Sequence, residues 1–157
     1  MKKFSKLVCS VSVCLLTGFL GSFVTMDSIT TWYADLSRPS FTPPDWTFGV
    51  VWPILYVMMG VSAFLIWERG INKRQIKVAM GLFVLQLVLN GIWTPIFFGL
   101  HMIALALVEI VLLWVAILLT IIAFWRISKA STFLLFPYIL WVSFAVVLNA
   151  AFWYLNR

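Results

Sequence analysis

The chain has 157 residues, 64% of them hydrophobic and 10% charged, with a net charge of +6. Soluble domains carry about half apolar and a quarter charged residues, so this composition excludes a soluble enzyme and marks a membrane protein. The positive charge is not the footprint of a nucleic-acid binder, because the basic residues sit in short turns between apolar runs.

Five apolar runs use nearly all of the chain, within residues 5–26, 46–67, 78–98, 102–124 and 132–155. Each is about 20 residues, which at about 1.5 Å per residue matches a hydrocarbon core about 30 Å thick. Backbone groups in lipid must be satisfied internally, so the runs are expected as helices, forming one all-α bundle of five transmembrane helices. Short turns make consecutive spans antiparallel neighbours.

The first run follows the basic start MKKFSK. From Leu7 to Val24 it is about 18 residues, long for the core of a signal sequence and enough to cross a bilayer. No small-residue cleavage motif follows, so a retained first helix is expected. Cys9 and Cys14 lie in it five apart, on different faces, and are expected as reduced apolar thiols. With a single His and no CxxC spacing, no metal site is expected.

Residues 27–45 connect the first two spans, about 19 residues where a few would do. LSRPSFTPPDW (36–46) closes the segment, and its three prolines fix φ and make it semi-rigid. Trp32, Tyr33, Phe41 and Trp46 are placed to stack over an opening. Arg38, the only cation there, has Asp27, Asp35, Asp45 or a ligand carboxylate as candidate partners. The segment is expected to be a lid, with Arg38 and Trp46 among its ligand contacts.

Orientation follows from the turns. Lys2, Lys3, Lys6, Arg69, Lys73, Arg74, Lys77, Arg126 and Lys129 fall on the side of the N-terminus, and only Arg38 and Arg157 on the other. The excess places the N-terminus in the cytoplasm, and the lid and C-terminus outside. Trp67, Trp125 and Trp153 then suit interfacial belts.

Trp52, Trp93, Trp114 and Trp141 lie inside spans, where helix packing and cavity lining are both open. In the third span Gln86, Asn90, Trp93 and Phe97 share one face. In the second, Trp52, Tyr56 and Ala63 do, with Met59 or Gly60 between. In the fifth, Pro137, Trp141, Ala145, Leu148 or Asn149, and Phe152 are expected to do so. Amides inside a span turn to the bundle interior, so Asn90 and Asn149 should bring these aromatics with them. Counting about 1.5 Å per residue puts Trp52, Asn90, Trp93 and Asn149 about 8–12 Å below the outer surface and Trp141 about 21 Å below it. An aromatic cavity in the outer half, with Trp141 as its floor, suits a flat apolar ligand. A tightly packed aromatic core is the alternative. Pro53, Pro95 and Pro137 remove backbone donors and can kink the spans.

Glu109 is the only charge well inside a span, which makes it a candidate for ion or proton coupling. No opposite charge lies at its depth, and a protonated carboxyl bonded within the bundle is the other reading. Gly18 and Ser22 form a small-xxx-small pair, as at close helix contacts within or between protomers.

WY at 32–33, RPSFTPP at 38–44, FGVVWPILYVMMG at 48–60, QLVLNGIWTPIFF at 86–98 and PYILWVSFAVVLN at 137–149 resemble the translocator protein family. Its bacterial members are called tryptophan-rich sensory proteins, and its mitochondrial member the peripheral-type benzodiazepine receptor. The resemblance covers the whole chain. The brevity of the chain and its basic turns point to a bacterial member in the cell membrane. The resemblance implies a five-helix bundle, commonly a homodimer, that needs no cofactor. It binds porphyrins such as protoporphyrin IX and haem, sterols, and synthetic isoquinoline carboxamide or benzodiazepine ligands. By matching position it implies a site of Tyr33, Pro43, Trp52, Tyr56, Asn90, Trp93, Trp141, Ala145 and Leu148. It also implies light-dependent porphyrin breakdown, with Trp52 and Trp141 as the catalytic tryptophans. A sterol motif is matched loosely by Leu148, Tyr154 and Arg157.

Overall fold

A computed structural model describes residues 3–157; Lys2, one of the basic residues counted for orientation, lies outside the described residues. No strand occurs among the described residues, and five helical stretches are long and apolar enough to cross a membrane. The elements are α1 (Lys3–Ile29), α2 (Trp32–Asp35), α3 (Asp45–Trp67), α4 (Arg74–Thr94, continued by a π-helical turn Pro95–Gly99), α5 (Ile103–Trp125), α6 (Lys129–Phe133) and α7 (Phe136–Leu155). The all-α, five-span expectation holds.

Helices overrun the apolar runs because polar residues in their end turns bond back to the helix. Thr25 Oγ1 donates to the Gly21 carbonyl at 3.1 Å, and Thr31 Oγ1 to that of Asp27 at 2.8 Å. Pro95, which brings no backbone donor, opens the π turn, where the Leu100 amide reaches the Pro95 carbonyl at 2.9 Å. His101, with φ 58°, then reverses the chain into α5; histidine is among the residues that tolerate this left-handed conformation.

Consecutive spans are not all neighbours. α1 packs along α3 on one side and along α4 on the other, α4 along α5, and α5 along α7. α7 and α6 complete the ring to α3 through slighter contact. The short turn after α3 therefore joins two helices that α1 largely separates, contrary to the expectation of sequential packing. Missing side chains allow this. A Cβ on Gly60 would fall 2.5 Å from Val11 Cα, and one on Gly91 would fall 3.1 Å from Thr17 Cγ2. Gly18, half of the small-residue pair, leaves room for the Tyr56 ring, while Ser22 is exposed.

Both ends of the bundle hold fully buried side chains. At the basic end Met59, Ile66, Ala79, Phe124 and Ser131 are 0% exposed. Ser62 and Ser131 there exchange hydrogen bonds between α3 and α6, from Ser62 Oγ to the Ser131 carbonyl at 2.8 Å and from Ser131 Oγ to the Ser62 carbonyl at 2.7 Å. Lys6 Nζ meets Glu68 at 2.8 Å, so the start of α1 and the α3–α4 turn share one side. Away from the basic end Trp52, Trp93, Trp141, Phe144 and Ala145 stay half-buried, while Ala106, Phe97 and Phe152 are 0–2% exposed.

Candidate functional site

The centre of the site is a chain of side-chain hydrogen bonds across three spans. Tyr56 on α3 donates to Asn90 Oδ1 at 2.6 Å, and Asn90 Nδ2 donates to the Tyr138 hydroxyl at 3.1 Å. Tyr138 in turn donates to Gln86 Oε1 at 2.8 Å. Trp52 stacks on Tyr56 with ring centres 5.5 Å apart and meets Tyr138 edge-on at 6.4 Å. A second group lies nearer the end of the bundle opposite the basic turns. Trp93 Nε1 donates to Asn149 Oδ1 at 3.1 Å, and Asn149 Nδ2 donates to the Ile103 carbonyl at 3.1 Å. Phe97 stacks on Trp93 at 5.0 Å, and Tyr33, Leu148 and Phe152 are buried with Phe97. The expected inward turn of Asn90 and Asn149 is therefore observed.

The register of α7 differs from expectation. Pro137 is exposed, whereas Tyr138 and Val142 are fully buried. Counting back from inward Asn149 in steps of four and three reaches Ala145, Val142 and Tyr138, so the signal lay in the spacing; proline and tryptophan drew the stripe one residue aside. Tyr138 was missed for that reason.

Trp141 is not a floor. Its ring meets Phe48 in the first turn of α3 at 5.7 Å and Phe144 at 5.7 Å. The depth estimate assumed flush helix ends, but α3 begins well below the outer end of α7. The segment 36–44 fills the difference. Ser37 N donates to Asn156 Oδ1 at 2.9 Å, and Asn156 Nδ2 donates to the Ser37 carbonyl at 3.0 Å. Phe41 meets Phe144 at 6.4 Å, twelve residues or about 18 Å down α7. The segment is thus a strap descending along α7, with Pro39 buried and Pro43 half-buried. Asn156 was not foreseen, because a polar residue at a chain end carries no periodic signal. A groove of about 460 Å³ opens between α3 and α7, lined by Val51, Leu55, Met58, Leu140, Trp141 and Phe144 among others; Phe144 is where the strap's Phe41 meets it.

Arg38 takes one of its candidate partners, Asp45, at 3.3 Å, and lies over the Tyr33 ring at 4.5 Å. Burial pushes the Tyr33 phenol above its ordinary range; the Arg38 guanidinium pulls it back and the Asp45 carboxylate adds a smaller upward push. Trp32 stacks on His101 at 4.2 Å, and Ser28 Oγ donates to the Phe98 carbonyl at 2.8 Å, which seats α2 on the turn after α4.

Other expected residues stand apart. Trp46 is 70% exposed. Leu148 is buried while Tyr154 is exposed under the Arg157 guanidinium at 4.4 Å, so the three residues of the sterol motif do not share a surface. Trp114 Nε1 donates to Ser143 Oγ at 2.8 Å, a packing role. Glu109 is 6% exposed, and neither carboxyl oxygen has a hydrogen-bond partner among the described residues. Gln86 Nε2 and Trp141 Nε1 are likewise buried without partners. No cluster of three His, Cys, Asp or Glu that could hold a metal occurs among the described residues.

Five apolar spans around an aromatic and amide interior define a multi-pass membrane protein. Residues 10–155 match the TspO/MBR family. The chain is 43% identical over 155 residues to the tryptophan-rich protein TspO of Chlorobaculum tepidum, covering 99% of this chain and 98% of that one. It is 44% identical over 152 residues to the tryptophan-rich protein TspO of Archaeoglobus fulgidus, covering 96% and 97%. Against the translocator protein of Homo sapiens it is 39% identical over 136 residues, covering 86% and 80%. The chain belongs to the TspO/MBR family.

Proposed function

We propose that this protein is a membrane receptor and translocator that binds porphyrins and other flat apolar ligands between α3 and α7 in the outer half of the bundle. The observation that carries this reading is an apolar groove between α3 and α7 with an indole in its wall. The groove of about 460 Å³ has Val51, Leu55, Met58 and Leu140 as its apolar lining and the half-buried Trp141 in its wall, with Trp52 elsewhere on α3 against Tyr56 and Tyr138. That volume falls within the range of about 300–1,000 Å³ usual for small-molecule sites. Indole faces suit a flat conjugated ring, and the unpartnered Trp141 Nε1 offers a donor to a ligand acceptor. Relatives carry names of the same tenor, a tryptophan-rich sensory protein in Cereibacter sphaeroides and a translocator protein in Homo sapiens.

The excess of basic residues in the turns beside the N-terminus supports a reading with that end in the cytoplasm of a bacterial cell and the strap outside. Arg38 then stands where a propionate would approach. Titration of purified protein with protoporphyrin IX is expected to quench tryptophan fluorescence saturably, with affinity lowered in Trp52→Phe plus Trp141→Phe. Quenching that never saturates, or that the double variant leaves intact, overturns the reading.

A second reading, light-dependent porphyrin breakdown, is favoured by one feature: Trp52, Tyr56 and Tyr138 form a run of oxidisable rings with centres 5.5 and 6.4 Å apart along its two contacts. Illumination of bound porphyrin should then yield a defined product at a rate that falls in Trp52→Phe and in Trp141→Phe. An unchanged rate removes the catalytic role.

A further inference from the structure

At the basic end a second groove, of about 760 Å³, runs between the start of α4 and the end of α5. Its floor is apolar, formed by Val78, Leu82, Leu119 and Ile122, and its rim carries Lys73, Arg74 and Arg126. All three cations are exposed. Among the described residues the ion pairs are those of Lys3 and Lys6 with Glu68 and of Arg38 with Asp45, so the rim has no carboxylate partner.

The first turn of α4 adds to the same field. Its N-cap is Lys73, which supplies no side-chain cap. The amides of Arg74 and Gln75, the first two helical residues, therefore face the rim without an intrahelical acceptor, at the positive end of the helix dipole. Trp125 next door is 45% exposed with Lys129 Nζ 5.4 Å from its ring, which sets this level at the membrane–water interface.

We infer that this groove is a binding site for an anionic phospholipid. Its acyl chain lies on Val78, Leu82, Leu119 and Ile122, and its phosphodiester is held by Lys73, Arg74, Arg126 and the open amides of α4. The chemistry selects this occupant. A soluble anion has no use for the apolar floor, and an apolar molecule has none for three cations. A zwitterionic lipid brings an ammonium group that the same cations repel. Basic pockets between transmembrane helices are suited to anionic head groups in this way. The inference needs only the bundle and its basic end, and stands or falls independently of porphyrin binding.

The test is native mass spectrometry of the full chain released from detergent micelles with added phosphatidylglycerol or phosphatidylcholine of identical acyl chains. Phosphatidylglycerol is expected to bind saturably and in preference. Arg74→Gln and Arg126→Gln should each lower its affinity about fivefold, while Lys129→Gln, equal in charge change but off the groove, should leave it within about twofold. Circular dichroism keeps unfolded variants out of the comparison. Equal binding of both lipids overturns the site. So does an equal loss in Lys129→Gln, which would mean diffuse attraction, or full competition by glycerol phosphate, which would mean a plain anion site. A dimer that dissociates in the arginine variants while lipid binding is unchanged would assign the face to a second copy instead.

Discussion

Replacing Asn90 by Leu keeps most of the side-chain volume and removes both polar groups from the centre of the site. Two bonds vanish, from the Tyr56 hydroxyl at 2.6 Å and to the Tyr138 hydroxyl at 3.1 Å. Tyr138 keeps its donation to Gln86 Oε1 at 2.8 Å, so the Tyr56 hydroxyl is the one donor orphaned. Side-chain hydrogen bonds between membrane helices average about 0.6 kcal/mol, and a buried orphan costs about 1–3 kcal/mol. Asn90→Leu should therefore destabilise by about 2 kcal/mol, and Tyr56→Phe, which orphans only an acceptor, by about 1 kcal/mol. The double variant leaves no orphan between the two residues. It should lose about 2 rather than 3 kcal/mol, a coupling of about 1 kcal/mol. Unfolding by sodium dodecyl sulfate in mixed micelles, followed by tryptophan fluorescence, measures all four corners of this cycle. Losses that add to within about 0.3 kcal/mol would refute the claim that the two side chains act as one unit.

Gly60→Val should destabilise by about 1–3 kcal/mol, and Val11→Ala should not rescue it, because the closest atom is the Val11 backbone; the same unfolding titration reads both. Asn156→Ala releases both bonds that hold Ser37, so chymotryptic cleavage after Phe41 should quicken several-fold while the unfolding midpoint barely moves. Burial raises the Tyr33 phenol, so the stability held in its neutral form is complete below about pH 10 and is lost as pH rises through the higher folded value. Arg38→Gln removes the opposing pull and should move that ionisation further up, seen as phenolate absorbance in a difference titration against Tyr33→Phe.

Five spans were legible because lipid leaves a helix no alternative and each run has the length to cross. Asn90 and Asn149 were legible for a related reason, since an amide in a span has few places to turn. Helix order was not, because it depends on close approach at Gly60, Gly18 and Gly91, and a glycine in sequence does not say which backbone comes near. Tyr138 was hidden beside Pro137 and Trp141, residues whose chemistry outweighed a four–three spacing. The strap was legible as semi-rigid from its prolines, but its course was not. The offset between α3 and α7 is a relation between two helices, and nothing in either records it.

That offset leaves part of α7 without α3 beside it. Small residues close the contact of α3 with α6 through the Ser62 and Ser131 pair, whereas α3 and α7 leave a groove between them. Above that level α3 has ended, and α7 must be covered by Phe41, Pro43 and the Ser37 contact. The strap is held by one amide pair, the buried Pro39, the Arg38 contact with Tyr33, one edge-on ring contact and an exposed ion pair, of which the last contributes about 0–1 kcal/mol. The strap's ring contact thus falls on Phe144, at the edge of the groove that Trp141 lines. Glu109 has no place in this arrangement: it joins none of the hydrogen bonds that link Tyr56, Asn90 and Tyr138, and Asn149 bonds to α5 at Ile103 instead. The groove beside the strap is therefore apolar apart from the buried Trp141 indole nitrogen.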